Sequence, residues 1–137
     1  MSEDFSKFLI KDYTYWVVYI YENQSYLGRC VVWCKRENAL DLTDATPEEQ
    51  AELFVVLNDI KNALQKAFQP DWFNYAFLGN EMRHLHCHFI PRYASSREFM
   101  GTTFTDVFWG KNYKTDKEFS ISHEVLEGIQ EKIKETL

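Results

Sequence analysis

Glycine and proline are scarce in this chain of 137 residues, five and three respectively. That scarcity excludes collagen-like and low-complexity architectures, which need one or both in quantity. Cysteine is scarcer still for a secreted mini-protein: Cys30, Cys34 and Cys87 are odd in number and lack the close-spaced pairs of structural zinc sites. Neither a disulfide framework nor a zinc ribbon is expected, and the three read as free buried thiols. No apolar run approaches the roughly 20 residues that a membrane helix needs. Met1-Ser2-Glu3-Asp4-Phe5 carries acids where a secretory signal carries bases. A soluble, cytoplasmic protein with no membrane partner is expected. Cations are outnumbered, 15 Lys and Arg against 21 Asp and Glu, for a formal charge of -6. This disfavours nucleic acid as a partner, since backbone binding relies on Lys and Arg displacing counterions. A small anionic ligand remains open where donors such as Arg29, Lys35, Arg36, Arg83, Arg92 and Arg97 gather locally.

What the chain does have is apolar and aromatic surface, 45% and 17% of residues. The length suits one domain spanning residues 1–137. Tyr13 to Tyr21, YTYWVVYIY, consists mostly of the aromatic and β-branched types that suit a pleated, half-buried surface, and Arg29 to Trp33 resumes the pattern. The turn formers between them predict a hairpin with a short loop at Asn23. Thr46-Pro47-Glu48-Glu49 combines a capping Thr, a first-turn Pro and a Glu able to complete a capping box. Leu53, Phe54, Leu57, Ile60, Leu64 and Ala67 then recur at helical spacing up to Pro70, which predicts an amphipathic helix packed on the sheet. Phe73–Leu78 and His84–Tyr93 read as two further antiparallel strands, and a C-terminal helix is expected after Ser122.

The chemistry concentrates in one segment, His84-Leu85-His86-Cys87-His88-Phe89-Ile90-Pro91-Arg92. In a strand, alternate side chains share a face, so the three histidines line one side and Leu85, Cys87 and Phe89 the core side. Three unrelated histidines are a poor account of a row that holds three of the chain's four. A metal site is the sharper rival, because imidazole is the commonest metal ligand. At ~3.3 Å per residue, however, His84 and His88 lie about 13 Å apart on a regular strand, too far to meet at one ion easily. A row of imidazoles suits a phosphorus centre: one neutral ring attacks while a neighbour donates protons or holds phosphoryl oxygens. Gly79 and Asn80, just before the row, are candidate donors to that phosphate.

The segment HLHCHFI resembles the signature of the histidine triad family, His-x-His-x-His with apolar residues between and after. The longer run NYAFLGNEMRHLHCHFIPRY, from Asn74 to Tyr93, is similar to bacterial members described as dinucleoside polyphosphate hydrolases. QSYLGR at Gln24 to Arg29 and the DLT and PEE segments between Asp41 and Glu49 also fall where the family has them. The resemblance covers residues 13–100, leaving 101–137 as a C-terminal extension. It implies an α+β fold with a five-stranded antiparallel sheet, one long helix and a C-terminal helix, paired into a homodimer that binds a small nucleotide. It further implies a nucleotide hydrolase or nucleotidyl transferase that cleaves a phosphoanhydride or phosphoramidate bond, as in diadenosine tetraphosphate or an adenosine phosphoramidate. By position in the motif, His86 is the nucleophile that forms a nucleotidyl-histidine, with His84 and His88 binding phosphate and orienting or protonating. Asn74 and Asn80 lie by the phosphates and Asn23 near the ribose. No cofactor and no metal are required for this chemistry.

The chain departs from the family at Glu81, three residues before the row, where many members place a Ser or Thr that helps the leaving group. A carboxylate there repels a polyphosphate unless it points away, so the leaving-group chemistry does not carry over. In the segment Ser96 to Tyr113, Phe104, Phe108 and Trp109 either cover the site or pack against the sheet. Two other functions compete: a nucleotide-binding module with a chemically idle triad, and a metal-dependent hydrolase.

Overall fold

The computed structural model describes residues 5–137. Its centre is an antiparallel sheet of β1 (Leu9–Asp12), β2 (Trp16–Ile20), β3 (Cys30–Cys34), β5 (His86–Arg92) and β4 (Trp72–Ala76), in that spatial order. Helices α1 (Pro47–Phe68) and α2 (His123–Thr136) pack against each other and supply the apolar cover of the core. This is the expected α+β architecture of five strands, one long helix and a C-terminal helix. A separate hairpin, β6 (Arg97–Phe99) and β7 (Thr102–Phe104), was not expected from the sequence.

Both helix starts follow from local chemistry. Thr46 caps the Glu49 amide while the Glu49 carboxylate returns to the Thr46 amide, and Ser122 caps the Val125 amide. The α1 stripe differs slightly from its predicted course. Leu53, Val56, Ile60, Ala63 and Leu64 are buried, whereas Phe54 is 68% exposed, because the buried row runs 53-56-60-64 and Phe54 lies about 100° around the helix from its start. The Glu52 carboxylate accepts from the amides of Thr14, Tyr15 and Trp16, tying the β1–β2 turn to α1.

Strand bounds also shift. The expected strand from Tyr13 is shorter, beginning at Trp16, and β1 precedes it, with a bulge between Leu9 and Lys11. The link from β2 to β3 runs over residues 21–29, longer than the short loop expected at Asn23. It is organised by buried Gln24, whose amide donates to the carbonyls of Tyr21 and Arg29 and accepts from the Gly28 amide. Gly28 itself has a φ of +89°, and a Cβ there would meet Leu64 Cδ2 at 2.6 Å. The loop thus sits directly on α1.

β5 is central, paired with β3 at Trp33↔His86 and Val31↔His88 and with β4 at Ala76↔His88 and Asn74↔Ile90. Cys87 and Phe89 are buried in the core. The alternation therefore places His86 and His88 on the face turned away from the core. Arg92, at the end of β5, is buried on that same face. All five of its N–H groups find acceptors: Asp106 Oδ2 and Oδ1 at 2.7 and 3.1 Å, Asn74 Oδ1 at 2.8 Å, and the carbonyls of Lys111 and Phe108 at 2.8 Å each. This holds residues 106–111 across the sheet. Replacing Asp106 by Ala leaves a buried guanidinium without its counter-charge, so unfolding in urea should show a loss of about 3–5 kcal/mol. A loss below about 1 kcal/mol would mean that the pair does not hold the segment.

Candidate active site

Three rings of the row take different environments. β5 begins at His86, so His84 lies just outside it, in a stretch where Leu85 donates to the Ala39 carbonyl and accepts from the Cys34 amide. The strand expected from His84 thus starts two residues later, because the His84 amide turns back to the Met82 carbonyl and Leu85 bonds to Cys34 and Ala39 rather than continuing the β4 ladder. His84 Nε2 lies 2.6 Å from the Cys34 carbonyl. Its ring stacks on Trp33 at 4.1 Å and 14°, and His86 stacks on the same indole at 5.3 Å and 29°. The rings of His86 and His88 are 5.3 Å apart and nearly perpendicular.

Hydrogen bonding fixes the protons on two of these rings. His86 Nδ1 lies 2.6 Å from the His84 carbonyl oxygen, which can only accept. Nδ1 therefore carries the proton, and Nε2 is the bare nitrogen in the neutral ring. By the same reasoning His84 carries its proton on Nε2. His88 is the perturbed member: burial first, then the cation of Arg29 and then His86, lower its pKa from the ordinary 6.5 to about 4.

His86 and His88 open into a cavity of about 640 Å³, also lined by Gly79, Asn80, Asn23 and Glu81. Phe5, Phe8, Tyr19 and Tyr21 give it aromatic walls, and Trp33 forms part of its floor. Its charged lining residues are Glu22, Glu81, Arg29 and Lys117, two of each sign, so the cavity does not share the chain's acidic excess. His84 instead lines a neighbouring depression of about 690 Å³ that shares Phe5, Tyr19 and Trp33 with it. Asn23 donates to the Asp116 carbonyl at 2.8 Å and accepts from the Ser25 amide at 2.9 Å. Asn74 lies on β4 outside the lining, its Oδ1 accepting from Arg92. Among the described residues, no three His, Cys, Asp or Glu side chains group to hold a metal.

The extension meets the packing expectation at Phe104, and Phe108 does not line the cavity. Phe104 is buried in the core and Trp109 is 43% exposed, and neither lines the cavity. Its wall comes instead from Tyr113, Thr115 and Lys117, a few residues further along. Sequence reading missed these three and Trp33. An aromatic two positions from Val31 on β3 was the available signal, since register opposite His86 puts Trp33 beside the row.

The depressed His88 pKa has a consequence for stability. The unfolded ring binds a proton near pH 6.5, but the folded ring does so only near 4. His88 therefore contributes stability that is fully present above about pH 6.5 and is lost as pH falls toward 4, roughly 2 kcal/mol after allowing for the ring's partial exposure. Urea unfolding at pH 7.5 and 4.5 should show the wild type losing that much more than a His88→Asn variant. Equal losses would count against the shift.

Relationships to known proteins agree with this geometry. A hypothetical histidine triad nucleotide-binding protein from Sulfolobus tokodaii superposes with a TM-score of 0.70 at 20% identity, over 94% of this chain and 82% of that one. A histidine triad protein from Bradyrhizobium japonicum gives 0.73 at 20% identity, over 96% and 92%. A zinc-bound histidine triad family protein from Mycobacterium smegmatis gives 0.63 at 18% identity, over 94% and 82%. At these identities the likeness is one of fold. Comparison with curated protein sequences found no match. The family model described as HIT domain matches residues 6–95, which include the whole five-stranded sheet, α1 and the whole histidine row. The chain therefore belongs to the histidine triad, or HIT, domain family.

Proposed function

We propose that this protein is a nucleotide hydrolase or nucleotidyl transferase that works through a covalent nucleotidyl-histidine on His86. The observation that carries the reading is the short contact between His86 Nδ1 and the His84 carbonyl. It keeps the opposite nitrogen unprotonated on a ring that lines the cavity. In the reaction, Nε2 of His86 attacks phosphorus. A P–N bond forms as the P–O bond of a phosphoanhydride or the P–N bond of a phosphoramidate breaks, and the leaving group departs with a proton. Water or another acceptor then attacks the adduct and returns the imidazole to its starting form. His88 holds a phosphoryl oxygen and serves the proton transfers, His84 orients the nucleophile through its carbonyl, Gly79 and Asn80 bind phosphate, and Asn23 lies near the ribose. The substrate class is a nucleotide with an activated phosphate, such as diadenosine tetraphosphate or an adenosine phosphoramidate. Three buried, unbridged cysteines suit a reducing, cytoplasmic setting.

A His86→Ala protein should lose turnover by several orders of magnitude while retaining nucleotide binding. Alkaline quenching of the wild type with labelled substrate should trap an acid-labile adduct on the peptide that contains His86. Substantial turnover by the variant, or an adduct on Cys87, would overturn the mechanism. Tight nucleotide binding with no turnover of any phosphoramidate or dinucleotide would favour an idle binding module.

We further propose a homodimer. β4 is an edge strand, and its Trp72 and Tyr75 are 67% and 45% exposed. An open edge of this kind is commonly covered by a second copy. Light scattering at micromolar concentration should give twice the 16.4 kDa chain mass; a monomer mass would refute the pairing.

A further inference from the structure

Arg29 is buried as deeply as Arg92, each 3% exposed, yet its surroundings are quite different. Among the described residues, no carboxylate forms an ion pair with it. Its Nε has no acceptor. Nη1 donates to Thr115 Oγ1 at 2.7 Å, and Nη2 lies 3.1 Å from His88 Nδ1. The guanidinium sits over the rings of Tyr21 and Tyr113, at 4.3 and 5.3 Å from their centroids. Burying a cation without a counter-ion is costly, and two aromatic faces offset only part of that cost. The interaction it secures is the one with His88.

A guanidinium has donors and no acceptor. In the contact with Nη2, His88 Nδ1 must therefore accept, so the proton of the neutral ring belongs on Nε2. We propose that Arg29 is a positioning residue that holds His88 as its neutral, Nε2-protonated tautomer, and that Thr115 and Tyr113 of the extension hold Arg29 in place.

The groups around His88 act in one direction. Arg29 faces it from the loop before β3, His86 from its own strand, and Tyr21 edge-on from just beyond β2 with ring centroids 5.1 Å apart. Arg29 is the only permanent charge among them, and together with burial it disfavours a second proton on His88. Adjacent rings of the row then carry opposite equipment: His86 offers a lone pair and His88 an N–H. This deepens the proposed function and rests on it only for its effect on turnover, because the tautomer can be read with no substrate present.

Long-range proton–nitrogen correlation spectra of the full chain, labelled with nitrogen-15 histidine and assigned with His88→Gln, test the proposal. In the wild type, His88 Nδ1 should show the shift of an unprotonated nitrogen and Nε2 that of a protonated one, unchanged from pH 7 to 5. Arg29→Met should mix the tautomers and raise the His88 titration by roughly a unit, and Arg29→Lys, which keeps a charge and a donor, should restore part of the effect. Should Arg29→Met fail to fold, Thr115→Val removes the Nη1 anchor alone and should move the same signals in the same direction by less. A wild-type His88 that carries its proton on Nδ1, or that is doubly protonated at pH 7, overturns the proposal without any variant. So does an Arg29→Met protein with unchanged shifts and titration. An Nε2-protonated His88 in a protein that turns over no nucleotide would leave the positioning intact and remove the proposed function. Normal turnover with the opposite tautomer would do the reverse.

Discussion

Arg92 is the joint on which the arrangement of the site depends. Its five donors bind two carboxylate oxygens, one side-chain amide and two main-chain carbonyls. They fasten three separate pieces of chain: the end of β5, the edge strand β4 through Asn74, and residues 106–111. A planar fork with fixed donor directions can do this where a lysine cannot. The pair with Asp106 is almost wholly removed from water, so it contributes more to fixing one geometry than to net stability. Once the segment lies across the sheet, residues 113–117 follow beside the row, where Tyr26 accepts from the Lys114 amide and Ser25 from the Asp116 amide.

The histidine row was readable because its signal is local. Alternation with Leu85, Cys87 and Phe89 assigns a face to His86 and His88 from the sequence alone, and all three apolar partners are buried. The start of α1 was readable for the same reason, since cap, proline and return carboxylate lie within four residues. His84 shows where the rule ends. It obeys the alternation on paper, but its backbone leaves the strand and its ring turns onto Trp33, 51 positions away in the sequence.

The rest was hidden because it depends on contacts between distant residues. Arg29 and Thr115 are 86 positions apart, and Asn23 and Asp116 are 93. Nothing in SREFMGTTFTDVFWGKNY marks Asp106 as a buried counter-ion, for an aspartate in a loop is usually solvated. β1 escaped notice because two apolar residues followed by two charged ones show no alternation, and four residues are too few to separate a strand from a loop. Asn74 shows a contact that a motif alone does not reveal: its side-chain oxygen accepts from Arg92, 18 positions away.

The central position of β5 also bears on how the molecule opens. A strand hydrogen-bonded on both sides, with Cys87 and Phe89 in the core beneath it, is released only when the sheet itself comes apart. The loop-borne wall of Tyr113, Thr115 and Lys117 has no ladder on either side. Amide exchange at His86 and His88 is therefore tied to global unfolding, whereas the wall can exchange through small local openings. The floor that carries the histidines stays rigid while the loop-borne wall beside it can yield.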